Sequence, residues 1–594
     1  MKKILSYLAS AAIAISAVSC SDFLEQENPA YSADGFFKTE TGLKEGVTGC
    51  YTAMLARQQY ITPACVVIDN YSPYGMDMFE NNSLSDGNGI TTGSEWINIY
   101  YFRRYNAIAR CNSVIDGAKD VIETMSDDAK RYYAEARAIR AYAYYNLMVA
   151  FGDIPFFTEP VTIADYNAGR TDKGVITDWI ISELDEIEEV LPWDPSERGR
   201  ITRCFTLGLK ARVCLFAGSF NVNNRGADYF RLSAAAAQKV MGHRHLAPNF
   251  IDLYTMPGQA TAAVQDDIIL ELMFSTNEAA KSGSWVVYSA TILAGYASDA
   301  VRYPSNLLAD VFECKDGKRI DESPLYDPRK PLRNRDPRMR YTLAGHGDTC
   351  QFTDDGGATV KKVILNDYDK KTRLHNGKRW VSVDNFDATG SRSLYTCFIR
   401  GVGYAWRKYA EDVSHDLHNA RMNLILMRYS EILLTYAEAK IELDEMDQSV
   451  YDAINQVRRR VGMPDISTDR YGNQDKMRQI VRRERKVEMA NEGLLFTDYR
   501  RWGIGDLLNK YPRYAFPLAE IRYDGLAATD IPNFKWGADP TRTDINDVPN
   551  YEHYKDKLNV RCKDTFWADR FIFWPIPRTE TNRCPNLKNP DYDE

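Results

Sequence analysis

A face of small side chains at helical spacing narrows what this chain can become more than any other feature. In YYAEARAIRAYAYYNLMVAFGD (Tyr132–Asp153), Ala134, Ala138, Ala141, Tyr145 and Met148 recur at steps of four, three, four and three. That is the spacing of one face of an α-helix. Alanine on such a face lets a second helix approach closely, so the segment requires helical partners. NLILMRYSEILLTYAEAKIELDE (Asn423–Glu445) repeats the pattern through Leu426, Tyr429, Leu433 and Tyr436. SVYDAINQVRRRVGMP (Ser449–Pro464) does so through Val450, Ile454, Val457 and Val461, before Gly462 and Pro464 stop it. FTLGLKARVCLFAGSF (Phe205–Phe220) predicts a further helix, closed by Gly218.

A helix, a short turn and a second helix with alanine-rich crossing points have the character of a tetratricopeptide-like hairpin, which buries its face only by stacking. The repeats are degenerate, with no clean period of about 34 residues. The stretches 60–100, 250–415 and 510–570 lack helical period and are rich in Gly, Pro, Asn, Asp and aromatics. They predict large loops with short strands on a helical scaffold, where binding residues tend to sit. The expected fold class is therefore mainly α: a tetratricopeptide-like helix-pair scaffold with a large, irregular, loop-rich half containing short strands.

The N-terminus bears on location. Met1-Lys2-Lys3 precedes sixteen uncharged residues, Ile4 to Ser19. A basic start and a short apolar run ending in small residues make a secretory signal, shorter than the roughly 20 residues of a membrane span. Ala17-Val18-Ser19-Cys20 resembles a bacterial lipobox, although Ala17 stands where leucine is usual. The reading is residues 1–19 as signal peptide, Cys20 as lipidation site and residues 20–30 as tether. The competing reading is an ordinary signal cut near a cysteine. Acyl chains anchor through about 0.8 kcal/mol per buried CH₂. Asp22, Glu25 and Glu27 in the tether resemble the surface-export signals of Bacteroidetes lipoproteins.

The net charge of −8 argues against nucleic acid or anionic lipid headgroups as partners. The cysteines after Cys20 are scattered without a CxxC pair and read as buried small residues rather than a stapled framework. Aromatics are abundant, with 37 Tyr, 24 Phe and 10 Trp, which permits a sugar-binding platform without requiring one.

Chemistry-bearing motifs are sparse. No HExxH, Gly-x-Ser-x-Gly or Gly-x₄-Gly-Lys-Ser/Thr sequence occurs. Glu484, Glu488, Glu492, Asp498, Arg485, Arg500 and Arg501 form a dense charged cluster. Paired catalytic carboxylates are one reading; the better one is an ion-pair network on a single helix face, from the i, i+4, i+8 spacing of the glutamates. His243/His245 and His415/His418 lack a partner set for a metal. Asp354-Asp355-Gly356-Gly357 lacks the alternating ligands of a calcium loop. No cofactor and no metal is expected, and a structural calcium ion is not predicted.

RAIRAYAYYNLMVAFGDIPFF (Arg137–Phe157), LMRYSEILLTYAEAK (Leu426–Lys440), AINQVRRRVGMP (Ala453–Pro464) and RRERKVEMANEGLLFTDYRRWG (Arg482–Gly503) resemble the SusD/RagB family of outer-membrane nutrient-binding lipoproteins. FIFWPIPRTETNRCPNLKNPDY (Phe571–Tyr592) is similar to that family's C-terminal signature, with Lys588-Asn589-Pro590-Asp591-Tyr592 in place of the usual Gln-Asn-Pro-Gly-Tyr. The resemblance implies helix pairs supporting a loop-rich half, with an N-terminal part over 31–250 and a C-terminal part over 251–594 packed on the same scaffold. It also implies a lipid-anchored protein on the outside of the outer membrane. Such a protein captures an oligosaccharide, or more rarely a peptide, and serves as lid on a TonB-dependent, SusC-like transporter.

Sugars present apolar C–H faces to aromatic rings and need paired polar partners for their hydroxyls. The early stretch Asp69–Trp96 offers Trp96, Tyr71, Tyr74 and Phe79 with Asn70, Asp77, Asn81 and Asn82. The middle stretch 284–303 offers Trp285, Tyr288, Tyr296 and Tyr303. Trp96 precedes the buried stripe Tyr101, Tyr105, Ile108, Cys111, Ile115 and is the least core-like, while Asp69 is expected to brace the loop. The leading expectation is a binding protein without enzymatic activity. The alternatives are a peptide binder on the same scaffold, a surface glycoside hydrolase, which needs two carboxylates at an open cleft, and a pure assembly scaffold.

Overall fold

The structure is a computed structural model that describes residues 33–54, 68–77, 84–274, 302–353, 360–365, 369, 371–384, 404–409, 422–510, 512–518, 522, 551 and 555–592. Helices start where side-chain oxygens can satisfy orphan amides. Ser126 accepts from the Ala129 N–H, Thr202 from Phe205, Asp447 from Ser449 and Asn473 from Lys476. The principal helices are α1 (Glu40–Met54), α2 (Glu95–Ala118), α3 (Asp127–Phe151), α4 (Lys173–Ile187), α5 (Arg203–Ser219), α6 (Gly226–Val240), α7 (Tyr429–Glu442), α8 (Gln448–Arg460), α9 (Gln474–Met489) and α10 (Leu495–Arg501). Helix α3 packs on α2 and α4, α4 on α5, α5 on α6 and α6 on α7, which also carries α8 and α9. Helices from both ends of the sequence thereby share one core. The predicted face of α3 is buried throughout, from Ala134 to Met148. No described helix is long and apolar enough to cross a membrane.

Two sequence expectations are corrected. α5 ends one residue after Gly218, close to the expected stop, but Gly218 is the penultimate helical residue rather than the cap, and an added Cβ there would sit 2.6 Å from the Phe230 ring of α6. The glycine is there for close approach between helices. Gly218→Ala gains about 1 kcal/mol of helix propensity and loses about 1–3 kcal/mol to overpacking. The expected outcome is a small net destabilisation, read as a lower urea midpoint. Leu426, assigned to the helical stripe before Tyr429, lies instead in a buried strand. Bulky Leu424, Ile425 and Met427 pair with a second strand before the chain turns into α7.

The strands are short and antiparallel. β1 (Gly75–Asp77), β2 (Ile268–Leu272), β3 (Arg302–Pro304), β4 (Leu343–Gly345), β5 (Thr349–Thr353), β6 (Val360–Ile364), β7 (Lys371–His375), β8 (Trp380–Asp384), β9 (Tyr404–Trp406), β10 (Leu424–Arg428), β11 (Arg513–Pro517) and β12 (Leu558–Cys562) follow in chain order. β1 pairs with β3, β2 with β10, β4 with β9 and β11 with β12, while β5 to β8 form a four-stranded meander. Cys50, Cys111, Cys204, Cys214, Cys314, Cys562 and Cys584 are buried thiols, as small core residues are.

Candidate ligand-binding site

The early loop is held from behind by one carboxylate. Asp69 Oδ2 accepts from the N–H groups of Glu492 and Gly493, at 3.1 and 3.0 Å, and Oδ1 from that of Phe496 at 3.1 Å. Burial pushes Asp69 up to about 7 against the pull of these N–H groups. It thus braces the loop against the turn between α9 and α10, the role expected of it. The next side chain, Asn70, accepts from Trp406 Nε1 at 2.8 Å.

This bracing decides which aromatic faces are available. Tyr71 and Tyr74 are only 2% and 1% exposed, and Tyr303 is fully covered. Their faces are closed by protein, so the expectation that Tyr71 and Tyr74 form an open platform is corrected; they support the site from within. Trp96, the second residue of α2, is half-buried, 6.1 Å from the Tyr71 ring. Behind Tyr71 lies Trp574, packed against Tyr100 and Phe496 with ring centroids 5.6 and 4.8 Å apart. The C-terminal segment is tied in place by Asn589, whose amide exchanges hydrogen bonds with the Ile576 backbone at 2.8 and 2.9 Å.

The two stretches singled out in the sequence meet at this point. In the β1–β3 register Asp77 lies opposite Arg302, and the Arg302 guanidinium stands 5.2 Å from the Trp96 ring and 5.8 Å from that of Tyr71. Its Nη2 donates to the Tyr71 hydroxyl at 3.4 Å. Trp96 thus has its position set by a cation and a buried aromatic wall. Sequence reasoning missed Arg302, since a single arginine beside Tyr303 carries no periodic or motif signal. Phe79, Asn81, Trp285, Tyr288 and Tyr296 lie outside the described residues.

The charged motif has a different character. Glu488 binds Arg338 at 2.9 Å and Arg428 at 2.5 Å, and also Arg460. Glu484 bridges Arg338 and Arg458, Glu313 bridges Arg458 and Arg483, Glu492 joins Arg428 to Lys408, and Asp267 and Asp336 pair with Arg460 and Arg338. Six carboxylates and six cations are linked, and no side chain among them is more than 5% exposed. Glu438 and Asp498 form a second cluster with Arg485 and Arg501. Burial raises the Glu488 carboxyl, but Arg460, Arg428 and Arg338 outweigh it and hold it well below the usual range. Burial likewise opposes Arg428 and Lys408 at Glu492, which is lowered to about 2.

The ion-pair expectation is correct in kind and corrected in geometry. α9 ends at Met489, so Glu492 is not on its face, and the partners come from other elements rather than from neighbours along α9. Among the described residues no three His, Cys, Asp or Glu side chains are grouped to hold a metal. His243 stacks on Trp193 at 3.7 Å, and His245 Nδ1 pairs with Asp266 at 2.7 Å. His415, His418 and the Asp354–Gly357 stretch lie outside the described residues.

Comparison with known proteins places these features in a family context. A family model described as "SusD family" matches residues 266–592, and one described as "Starch-binding associating with outer membrane" matches residues 22–215. SusD-like proteins P2 and P25 of Formosa agariphila are each 22% identical, over 517 and 512 residues, covering 82% of this chain and 89% and 88% of theirs. A SusD-like carbohydrate-binding protein from Bacteroides fragilis superposes with a TM-score of 0.71 at 23% identity, covering 93% of this chain and 100% of that one. A SusD homologue from Bacteroides thetaiotaomicron gives 0.64 at 17% identity, covering 94% and 97%.

Proposed function

From the premise that this chain belongs to the SusD family, we propose that it captures oligosaccharides at the cell surface and delivers them, as a lid, to a TonB-dependent outer-membrane transporter. In this reading Cys20 carries the lipid anchor, the protein faces outward from the outer membrane, and its role is binding rather than catalysis. The burial of Glu484, Glu488 and Asp498 removes the charged motif as a source of paired catalytic carboxylates, which a hydrolase needs at an open cleft.

The observation that carries the ligand class is Trp96, half-buried and set by Arg302 and Tyr71. A fixed indole with one face against protein stacks on a sugar at little entropic cost. Phe79, Asn81, Trp285, Tyr288 and Tyr296 are proposed as further contacts on the segments that flank β1 and β3. Titration calorimetry of the protein lacking residues 1–20 against neutral polysaccharides and peptides tests the reading. Trp96→Ala is expected to weaken glycan binding about tenfold, equivalent to ~1.4 kcal/mol, at a temperature where the variant, having lost its packing on Tyr71 and Arg302, is still folded. Heat with peptides alone would move the reading to the peptide class.

A further inference from the structure

A cleft apart from Trp96 is lined by the loop 312–336, the short helix Pro337–Thr342 and Arg407 just after β9. Its volume is about 600 Å³, within the range of small-ligand sites. Its described lining includes five cations, Lys315, Arg333, Arg335, Arg340 and Arg407, and no carboxylate. In a chain of net charge −8 this is a local reversal of sign.

The cations divide into two kinds. Arg335 and Arg407 are buried supports: Arg335 donates to the carbonyls of Pro331, Ala309 and Phe312, and Arg407 to those of Arg340 and Thr349. Lys315 and Arg333 are exposed, and Arg340, also exposed, shares its charge with Asp348. The supports hold the loop in place, while the exposed Lys315 ammonium and Arg333 guanidinium reach solvent. Leu332, Pro337 and Tyr341 supply apolar surface beside them. Guanidinium matches planar oxyanions through paired N–H donors, and apolar surface receives the C–H face of a sugar.

We propose that this cleft binds the anionic group of an acidic oligosaccharide, a uronate carboxylate or a sulfate ester, with its ring against Tyr341 and Pro337. The proposal rests on the oligosaccharide-capture reading and adds the charge class of the ligand. An acidic glycan gains from the cleft what a neutral one cannot, so selection follows from charge.

The test is calorimetric titration of the protein lacking residues 1–20 with oligogalacturonate, chondroitin sulfate oligosaccharides and maltoheptaose. Wild type is compared with the double variant Lys315→Glu/Arg333→Glu and with Arg231→Glu, a charge change at an exposed site on α6. The expected result is binding of at least one acidic oligosaccharide that falls about tenfold in the double variant and stays unchanged in Arg231→Glu. It should also weaken in about 1 M salt, where the screening length is about 3 Å. Which acidic probe binds distinguishes carboxylate from sulfate. Acidic binding that survives the double variant overturns the proposal. Maltoheptaose binding without acidic binding overturns it and leaves oligosaccharide capture standing. No binding of any glycan overturns both.

Discussion

Glu488→Gln is expected to lower stability by about 3–5 kcal/mol, the usual cost of removing one partner from a buried ion pair. The variant keeps the volume of the side chain and removes its charge. Arg338, Arg428 and Arg460 all bind that carboxylate. None of the three can reach water, since their side chains are 1%, 1% and 2% exposed. Each retains a second carboxylate, in Glu484, Glu492 and Asp267 respectively, which keeps the loss from exceeding this range. Asp465→Asn provides the control. Asp465 pairs with Arg459, and both side chains are exposed, at 43% and 57%, where such pairs contribute about 0–1 kcal/mol. Urea midpoints of the two variants should therefore differ clearly. The network also has a pH signature. Glu492 and Glu438 are lowered to about 2, burial opposing in each case and nearby cations prevailing, against about 4.3 when unfolded. Their stabilisation is present above about pH 4.3 and is lost as pH falls toward 2. An acid titration of the wild type should show this loss.

How much could be read beforehand followed from how local each cause was. The helix faces were legible because burial repeats at a fixed step, as Ala134 to Met148 shows. The strand at Leu424–Arg428 was not, because its distant partner Ile268–Leu272 converts a helix-like run into a ladder. Gly218 read as a stop because glycine ends helices often, and its real cause, the Phe230 ring, lies on another helix. The charged motif was legible as structural but not as an assembly, since Arg338, Arg428 and Arg460 are far from Glu488 in sequence. Trp96 was read as the least core-like of the early aromatics, and it is half-buried where Tyr71 and Tyr74 are covered. Tyr71 and Tyr74 were placed on an open loop because a stretch rich in Asn, Asp and Gly reads as surface, whereas Asp69 and Asn70 draw it into the core. The cationic cleft left only a high density of Arg and Lys across residues 315–340, which is also the mark of a solvated loop.

Asp69→Ala is the second large effect expected, and it joins stability to binding. The substitution leaves the N–H groups of Glu492, Gly493 and Phe496 without their acceptor. An unsatisfied buried donor costs about 1–3 kcal/mol, so three partly relaxing together should cost about 3–5 kcal/mol. Asp69→Asn offers a single acceptor oxygen and should fall between wild type and Asp69→Ala. The pH dependence runs opposite to that of Glu492. Asp69 is raised by burial to about 7 from about 3.9 in the unfolded chain. The favourable contribution of its protonated form is full below about pH 4 and is lost as pH rises through about 7. The gap in urea midpoint between wild type and Asp69→Ala should therefore be wider at pH 5 than at pH 8. An equal gap would mean that the carboxylate stays ionised in the fold, its charge held by the three N–H groups alone. Binding provides the second readout. Asp69 fixes the segment Ile68–Tyr71 against the α9–α10 turn, Tyr71 backs Trp96, and Arg302 spans both rings. Glycan affinity should thus fall in Asp69→Ala at temperatures where the protein is still folded, even though Asp69 is buried away from any ligand.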